Sequence, residues 1–218
     1  VVWSGLVLAE VAVRGLPADW LVALTATASL TLCYALIARV VSLRSGARLV
    51  LGSRADLAWL GAVCIGGALL NGTVYLTALA AGGRGPSGPL YEAIARYGVG
   101  DAVGLLVTLP VLLMLMDWRR RNALVAALRG REWWVMAVLV VVVVVIAFGR
   151  EGHDPFKYFY LLFLPVVWTS ARMGLAGAVL AAATTQVAVI VAVQSVAIAD
   201  LFELQVLMAA VTLTGLML

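Results

Sequence analysis

Asp101 places a carboxylate inside a long apolar stretch. The stretch runs from Tyr97 to Trp118 and is followed by an arginine cluster, Arg119, Arg120 and Arg121. A carboxylate in a membrane-spanning helix costs roughly 2.5–3.5 kcal/mol at the helix centre, so Asp101 should face protein or a water-filled cavity rather than lipid. We therefore expect Asp101 to carry function, through a ligand, a proton or a change of partner.

Small residues and a proline surround Asp101 along the same stretch. Gly100 and Gly104 have the GxxxG spacing, which lets another helix approach closely. Pro110 lacks a backbone N–H donor and favours a kink. These residues predict either a close-packed hinge around Asp101 or simply a packing groove and a bend.

Other polar side chains occur at comparable depths in neighbouring apolar stretches, if each helical residue rises about 1.5 Å. Arg14 follows Glu10 by one turn, in the favourable acid-before-base order. The sequence thus predicts an outward-facing polar pocket that binds a small ligand, a proton or a membrane protein partner. Its expected side chains are Glu10, Arg14, Asn71, Arg96, Asp101, Gln194 and Gln205.

The composition requires membrane helices to position these side chains. Of the 218 residues, 64% are apolar and only 12% are charged, which indicates an all-α, polytopic membrane helix bundle in the lipid bilayer. Crossing the hydrocarbon core takes about 20 apolar residues. We predict about eight transmembrane helices in one domain, 1–218, with a cytoplasmic output domain expected after residue 218. The predicted spans are Val1–Arg14, Trp20–Val41, Leu57–Ala80, Tyr97–Met116, Trp133–Gly149, Tyr158–Ala171, Leu175–Val196 and Leu204–Leu218.

The arginine distribution predicts which face of the membrane each loop occupies. Ten of the 15 arginine and lysine residues fall between spans two and three, between spans four and five, or at the end of span six. Because arginine-rich loops stay in the cytoplasm, this face and both termini should be cytoplasmic. The ten are Arg39, Arg44, Arg48, Arg54, Arg119, Arg120, Arg121, Arg129, Arg131 and Arg172.

No arrangement of residues supports catalysis by the chain itself. Cys33 and Cys64 lie in apolar runs and His153 is the single histidine, so neither a metal site nor a cofactor is expected. No Ser/His or Cys/His pairing is visible. The net charge of +4 comes from loop arginines that orient the helices, and no nucleic-acid partner is predicted.

Two motifs in the expected order resemble a known family of bacterial membrane sensors. The run Gly100-Asp101-x-x-Gly104-x-Leu106-x-x-x-Pro110 is similar to the central motif of the bacterial membrane-associated sensor domain, type one, in the MASE family. Residues 163–174 are similar to its Pro-x-x-x-Trp-x-x-x-Arg-Phe-Gly pattern, with Met173 where an aromatic residue is usual. A weaker third match opens the last apolar segment. The matching residues of the second and third motifs are Pro165, Trp168, Arg172, Gly174, Leu204 and Gln205.

The resemblance implies a sensory input module in the bacterial inner membrane. It implies fusion to a sensor histidine kinase of a two-component system in the first place, with a diguanylate cyclase as the second choice, and a homodimer formed through that output domain. Trp168 and Arg172 would then take part in signalling, with Pro165 and Gly174 as hinge or packing residues.

Two other classes of function also fit polar residues inside a membrane. A transporter, or a membrane substrate-binding subunit for a small molecule, needs buried polar groups and broken helices as well. However, no internal inverted repeat is visible in the sequence. A membrane enzyme needs a catalytic constellation, and none is assembled. The resemblance therefore favours the sensor.

Overall fold

Helix is the only regular secondary structure in the part of the chain that the structure, a computed structural model, describes. That part comprises residues 2–14, 20–45, 53–148, 160–195 and 201–217. The predicted all-α membrane fold is confirmed there. The elements are α1 (Val2–Arg14), α2 (Trp20–Ser45), α3 (Arg54–Ala81), α4 (Leu90–Met116), α5 (Trp118–Arg129), α6 (Arg131–Phe148), a 3-10 turn (Tyr160–Leu162), α7 (Phe163–Ser195) and α8 (Leu201–Met217).

Five of the described helices are long and apolar enough to cross a membrane, namely α2, α3, α4, α6 and α7. The helix α8 is apolar but shorter, and α1 has 13 residues. The chain therefore has the helices of a multi-pass membrane protein. Helix length alone does not establish the predicted number of eight spans.

Asp117 separates α4 from α5. Its backbone is extended, and its Oδ1 accepts the backbone N–H of Arg119 over 2.9 Å, which caps the N-terminus of α5. Gly130 ends α5, and α6 begins at the next residue. The region from Arg119 to Arg131, predicted as a loop, is therefore mostly helical. The correction follows from the capping aspartate, which starts a new helix just before the arginine cluster.

The chain divides into two compact units, Val1–Ala102 and Val103–Leu218. In the first unit, one face of α2 packs against α3. Residues spaced four apart along α2 supply this face, as expected for a helix that buries one stripe. The shared core consists of Val22, Ala26, Leu30, Tyr75, Leu76 and Leu79.

Glycines bring α3 close to the first part of α4. A Cβ on Gly72 would lie 3.0 Å from Cδ1 of Tyr97, and a Cβ on Gly98 would lie 2.9 Å from Cδ2 of Leu69. Small residues at such a contact let two helix backbones approach closely in a membrane. The close approach in this unit therefore depends on Gly72 and Gly98.

The core of the second unit includes one face of α6. By composition, the six valines from 140 to 145 suggest a helix in contact with lipid on every side. In the structure Val140, Val143 and Val144 are buried in a cluster with residues of α7 and α8, whereas Val141 and Val142 are exposed. The valine run is thus divided between core and surface, following the helical period.

Gly174 interrupts α7. Its φ of 58° and ψ of −147° are not helical, and glycine adopts such a conformation without a Cβ clash. A Cβ on Gly177 would lie 2.5 Å from the carbonyl oxygen of Thr169, although residues eight apart in a straight helix are separated by about 12 Å. The arms 163–173 and 175–195 therefore fold back on each other, close to where two separate spans were predicted.

Candidate functional site

Asp101 lies near the middle of α4. The helix begins at Leu90, earlier than the predicted start of the span at Tyr97. At about 1.5 Å per residue, Asp101 is roughly 16 Å along the axis from Leu90 and roughly 22 Å from Met116. The carboxylate is therefore more central in its helix than the predicted span implied.

Two neutral donors from other helices bind the carboxylate of Asp101. The Tyr34 hydroxyl of α2 donates to Oδ1 over 2.6 Å, and Nδ2 of Asn71 in α3 donates to Oδ2 over 2.8 Å. Hydrogen bonds to an ionised acceptor are short and roughly twice as strong as neutral ones. One side chain thus links α2, α3 and α4 within the first unit.

Asn71 keeps one hydrogen-bonding atom unused. Its side chain is fully buried, and its Oδ1 has no hydrogen-bond partner among the described residues. A buried acceptor without a partner costs about 1–3 kcal/mol. Asn71 Oδ1 can therefore accept one further hydrogen bond beside the carboxylate, from a water molecule or a protonated group.

Aromatic rings and thiols surround the polar pair. Tyr75 follows Asn71 by one turn, Tyr97 precedes Asp101 by one turn, and the two rings stack with centroids 5.2 Å apart. The thiols of Cys33 in α2 and Cys64 in α3 are buried and form no disulfide. Among the described residues no cluster of His, Cys, Asp and Glu could hold a metal ion. The site is a mainly apolar enclosure around a few polar atoms.

The structure describes only part of the predicted pocket. It brings Asn71 and Asp101 together. Arg96 is exposed and forms no ion pair with Asp101 among the described residues. Gln205 is partly buried in α8, which belongs to the second unit. The side chains outside those that the structure describes are Glu10, Arg14 and Gln194.

Trp168 and Arg172 form a separate arrangement in the second unit. The Arg172 guanidinium lies 5.6 Å from the centroid of the Trp168 ring, within the range of a cation–π contact. Its Nη2 lies 3.3 Å from Oε1 of Glu132 in the first turn of α6. Both charged side chains are about half exposed, so the pair contributes at most about 1 kcal/mol.

The predicted hinge and packing residues have different environments. Gly100 is partly buried, whereas Gly104 is exposed and a Cβ there would meet no described atom within 4 Å. Pro110 is buried inside α4, which continues to Met116. Pro165 stands in the first turn of α7, where the missing N–H costs no helical hydrogen bond. Gly174 is the point at which α7 is interrupted.

Comparison with known proteins decides the family. A model of the family MASE1 matches residues 1–218, the whole sequence. The chain belongs to the MASE1 family. MASE1 domains are membrane sensory input domains of signalling proteins, as the resemblance implied. Neither a curated protein nor a solved structure matches the chain.

Two residues of this MASE1 domain form polar contacts that were not predicted from the sequence. They are Tyr34 and Glu132. Tyr34 was not selected because tyrosine is ordinary in membrane helices, although a hydroxyl well inside an apolar run needs a partner. Long side chains in an α-helix generally point back toward its N-terminus, which shifts a tyrosine hydroxyl along the axis from its Cα. Glu132 was passed over as a residue next to the tryptophans at the start of a span. Allowing for side-chain direction would have helped to find Tyr34.

Proposed function

We propose that this MASE1 domain is the input of a bacterial sensor histidine kinase, and that the signal is received at Asp101. Family membership supports a membrane sensor. The histidine kinase, rather than a diguanylate cyclase, is the output that we put forward from the family resemblance, and the phosphorylation test below distinguishes the two. The observation that carries the proposed site is the bonding of one carboxylate to both Tyr34 and Asn71.

A signal at Asp101 changes how three helices are held. While the carboxylate is charged and accepts both donors, α2 and α3 are each tied to α4. A ligand, a proton or a protein partner that competes for the carboxylate weakens one of these bonds, each of which contributes about 1.5–3 kcal/mol. An equilibrium between two arrangements shifts by as much as the ligand's difference in affinity for them. The loss of one such hydrogen bond, about 1.5–3 kcal/mol, is enough for a tenfold change in this equilibrium and therefore in output.

The same proposal includes a topology. Eight spans in the inner membrane, with both termini in the cytoplasm, place the arginine-rich segments on the cytoplasmic side. This arrangement delivers the end of α8 to the compartment that contains ATP. Dimerisation through the output domain then gives two input domains per receptor, each with its own Asp101 site.

The test is phosphorylation by the full-length protein in nanodiscs. We expect transfer of phosphate from ATP to a histidine downstream of residue 218, and a changed rate per folded molecule when Asp101 is replaced by Asn. The control is Val142→Ala, which changes an exposed side chain of α6. Production of a cyclic dinucleotide from GTP without any histidine phosphorylation would show that the output is a cyclase instead.

A further inference from the structure

The helix α5 occupies a special position in the chain. It joins the end of α4 to the start of α6, and both of these helices are long and apolar enough to span the membrane. With 12 residues and three consecutive arginines it is not itself a span. A helix that connects the ends of two spans lies at one face of the membrane. We therefore expect the exposed faces of α5 to meet lipid headgroups and the edge of the acyl chains.

The residues of α5 fall on three faces. Leu124 and Ala127 are buried and form the face directed toward the protein. Trp118, Val125 and Leu128 are exposed and share a second face, since they are spaced seven and three residues apart. The third face is polar and exposed, with Arg119, Asn122 and Arg129. An apolar exposed strip beside an arginine strip is typical of a helix that lies in the membrane interface.

The arginines near α5 outnumber the carboxylates available to them. Asp117 is engaged, because its Oδ2 lies 3.5 Å from Nε of Arg120. Glu132 is engaged too, at 3.3 Å from Arg172. Among the described residues, no carboxylate lies within 4 Å of four other arginines, which are Arg119, Arg121, Arg129 and Arg131.

One of these arginines, Arg121, follows Trp118 by one turn on the same side of α5. The guanidinium of Arg121 lies 4.1 Å from the centroid of the exposed Trp118 ring. Tryptophan prefers the level of the headgroups, and a guanidinium stacked on it is positioned at the same level. The guanidinium fork matches two oxygens of a phosphate. An anion and an apolar chain would thus be recognised side by side.

We propose that α5 lies in the membrane surface and binds the phosphates of anionic phospholipids through Arg119, Arg121 and Arg129, with Trp118 inserted beside them. An anionic lipid carries both the negative group and the apolar chain that adjacent faces of α5 require, whereas a nucleic acid or an acidic peptide supplies only the charge. Each arginine near the surface should favour an anionic over a neutral lipid by about fivefold at low salt. This inference does not depend on what the receptor senses.

The test measures the preference of the whole chain for phosphatidylglycerol over phosphatidylcholine. In nanodiscs of phosphatidylcholine, brominated phosphatidylglycerol is added stepwise and quenching of tryptophan fluorescence is recorded. The contribution of Trp118 is isolated by comparison with Trp118→Phe. We expect a clear preference for the anionic lipid in the wild type, and a loss of about tenfold or more in the double variant Arg119→Gln, Arg129→Gln. High salt should reduce the preference of the wild type for the anionic lipid more than that of the double variant.

The matched control removes two exposed arginines elsewhere, in Arg84→Gln, Arg96→Gln. It removes the same number of positive charges as the α5 double variant, and it should keep the wild-type preference for the anionic lipid. Size-exclusion profiles and unfolding midpoints verify that both double variants are folded. Equal preferences in the wild type and the α5 variant, or an equal loss in the control, would overturn the proposal. So would a wild type that shows no lipid preference but binds an acidic polypeptide through α5.

Discussion

The hydroxyl of Tyr34 lies 2.6 Å from Oδ1 of Asp101, so an α2 side chain binds the central carboxylate of α4. Asn71 of α3 occupies the other oxygen at 2.8 Å. Both donors are neutral, and the loss of either leaves one oxygen of a partly buried carboxylate without its donor from a neighbouring helix. The three helices are consequently sensitive to any event that changes the hydrogen-bonding capacity of this one group.

Replacing Tyr34 by Phe should destabilise the domain and alter signalling together. The change removes one hydrogen bond to a charged acceptor, for which we expect a loss of about 1.5–3 kcal/mol. The unfolding midpoint of the purified chain measures it. The control is Tyr91→Phe, since Tyr91 is 71% exposed and its removal should cost less than about 0.5 kcal/mol. Equal midpoints for the two variants would mean that the Tyr34 bond contributes nothing.

The depth of polar residues along the spans could be estimated from the sequence, and in the structure Asn71 and Asp101, two residues of the predicted pocket, are hydrogen-bonded. The rotation of each helix about its axis could not be predicted, because the polar residues of α2 and α3 are scattered around the helix and form no amphipathic stripe. For that reason Tyr34 was not recognised as a partner of Asp101. In lipid, side-chain packing and hydrogen bonds choose the rotation, and both depend on the neighbouring helix.

Gly177→Ala should destabilise the chain, and by more than the control change Gly66→Ala. Its Cβ would lie 2.5 Å from the carbonyl oxygen of Thr169, which is backbone and cannot rotate away. Overpacking of this kind costs typically 1–3 kcal/mol, a fall of several degrees in the unfolding midpoint. Gly66→Ala is the control, because its Cβ would meet no described atom within 4 Å and should leave the midpoint unchanged or slightly raised. A Gly177→Ala protein as stable as the control would contradict the fold-back of α7.

Packing glycines are difficult to select from spacing alone. The GxxxG pair Gly100 and Gly104 was the visible motif, yet the close approach of α3 to α4 involves Gly72 and Gly98. All four are small residues in apolar segments, and only the rotation of the helices distinguishes them. The helix boundaries at Asp117 and Gly174 could have been anticipated more closely, since a capping aspartate and an isolated glycine are local signals.

Cysteine tagging should place the two sets of connecting segments on opposite sides of the membrane. Tags at Asn122 or Ala126 in α5 should react from the cytoplasmic side, and a tag at Ser87 from outside, because arginine-rich segments are retained in the cytoplasm. The background is the variant Cys33→Ala, Cys64→Ala, which removes both buried thiols. Reaction of all three tags from the same side in intact and permeabilised cells would remove the proposed topology.

Asp101→Asn should shift the basal output of the full-length protein more than it lowers the amount folded in the membrane. The new amide is nearly isosteric and can still accept from Tyr34 or Asn71, but it has no charge and also brings donors of its own. The helix arrangement that hydrogen bonds to a charged carboxylate stabilise is therefore no longer favoured. The packing around residue 101 is retained. If Asp101 only holds the helices together, the variant should be silent or should simply reduce the yield. Output per folded molecule, compared with Arg172→Gln and with the exposed control Val142→Ala, separates these outcomes. Unchanged basal and stimulated output at normal yield would show that Asp101 is not the residue that responds to the signal.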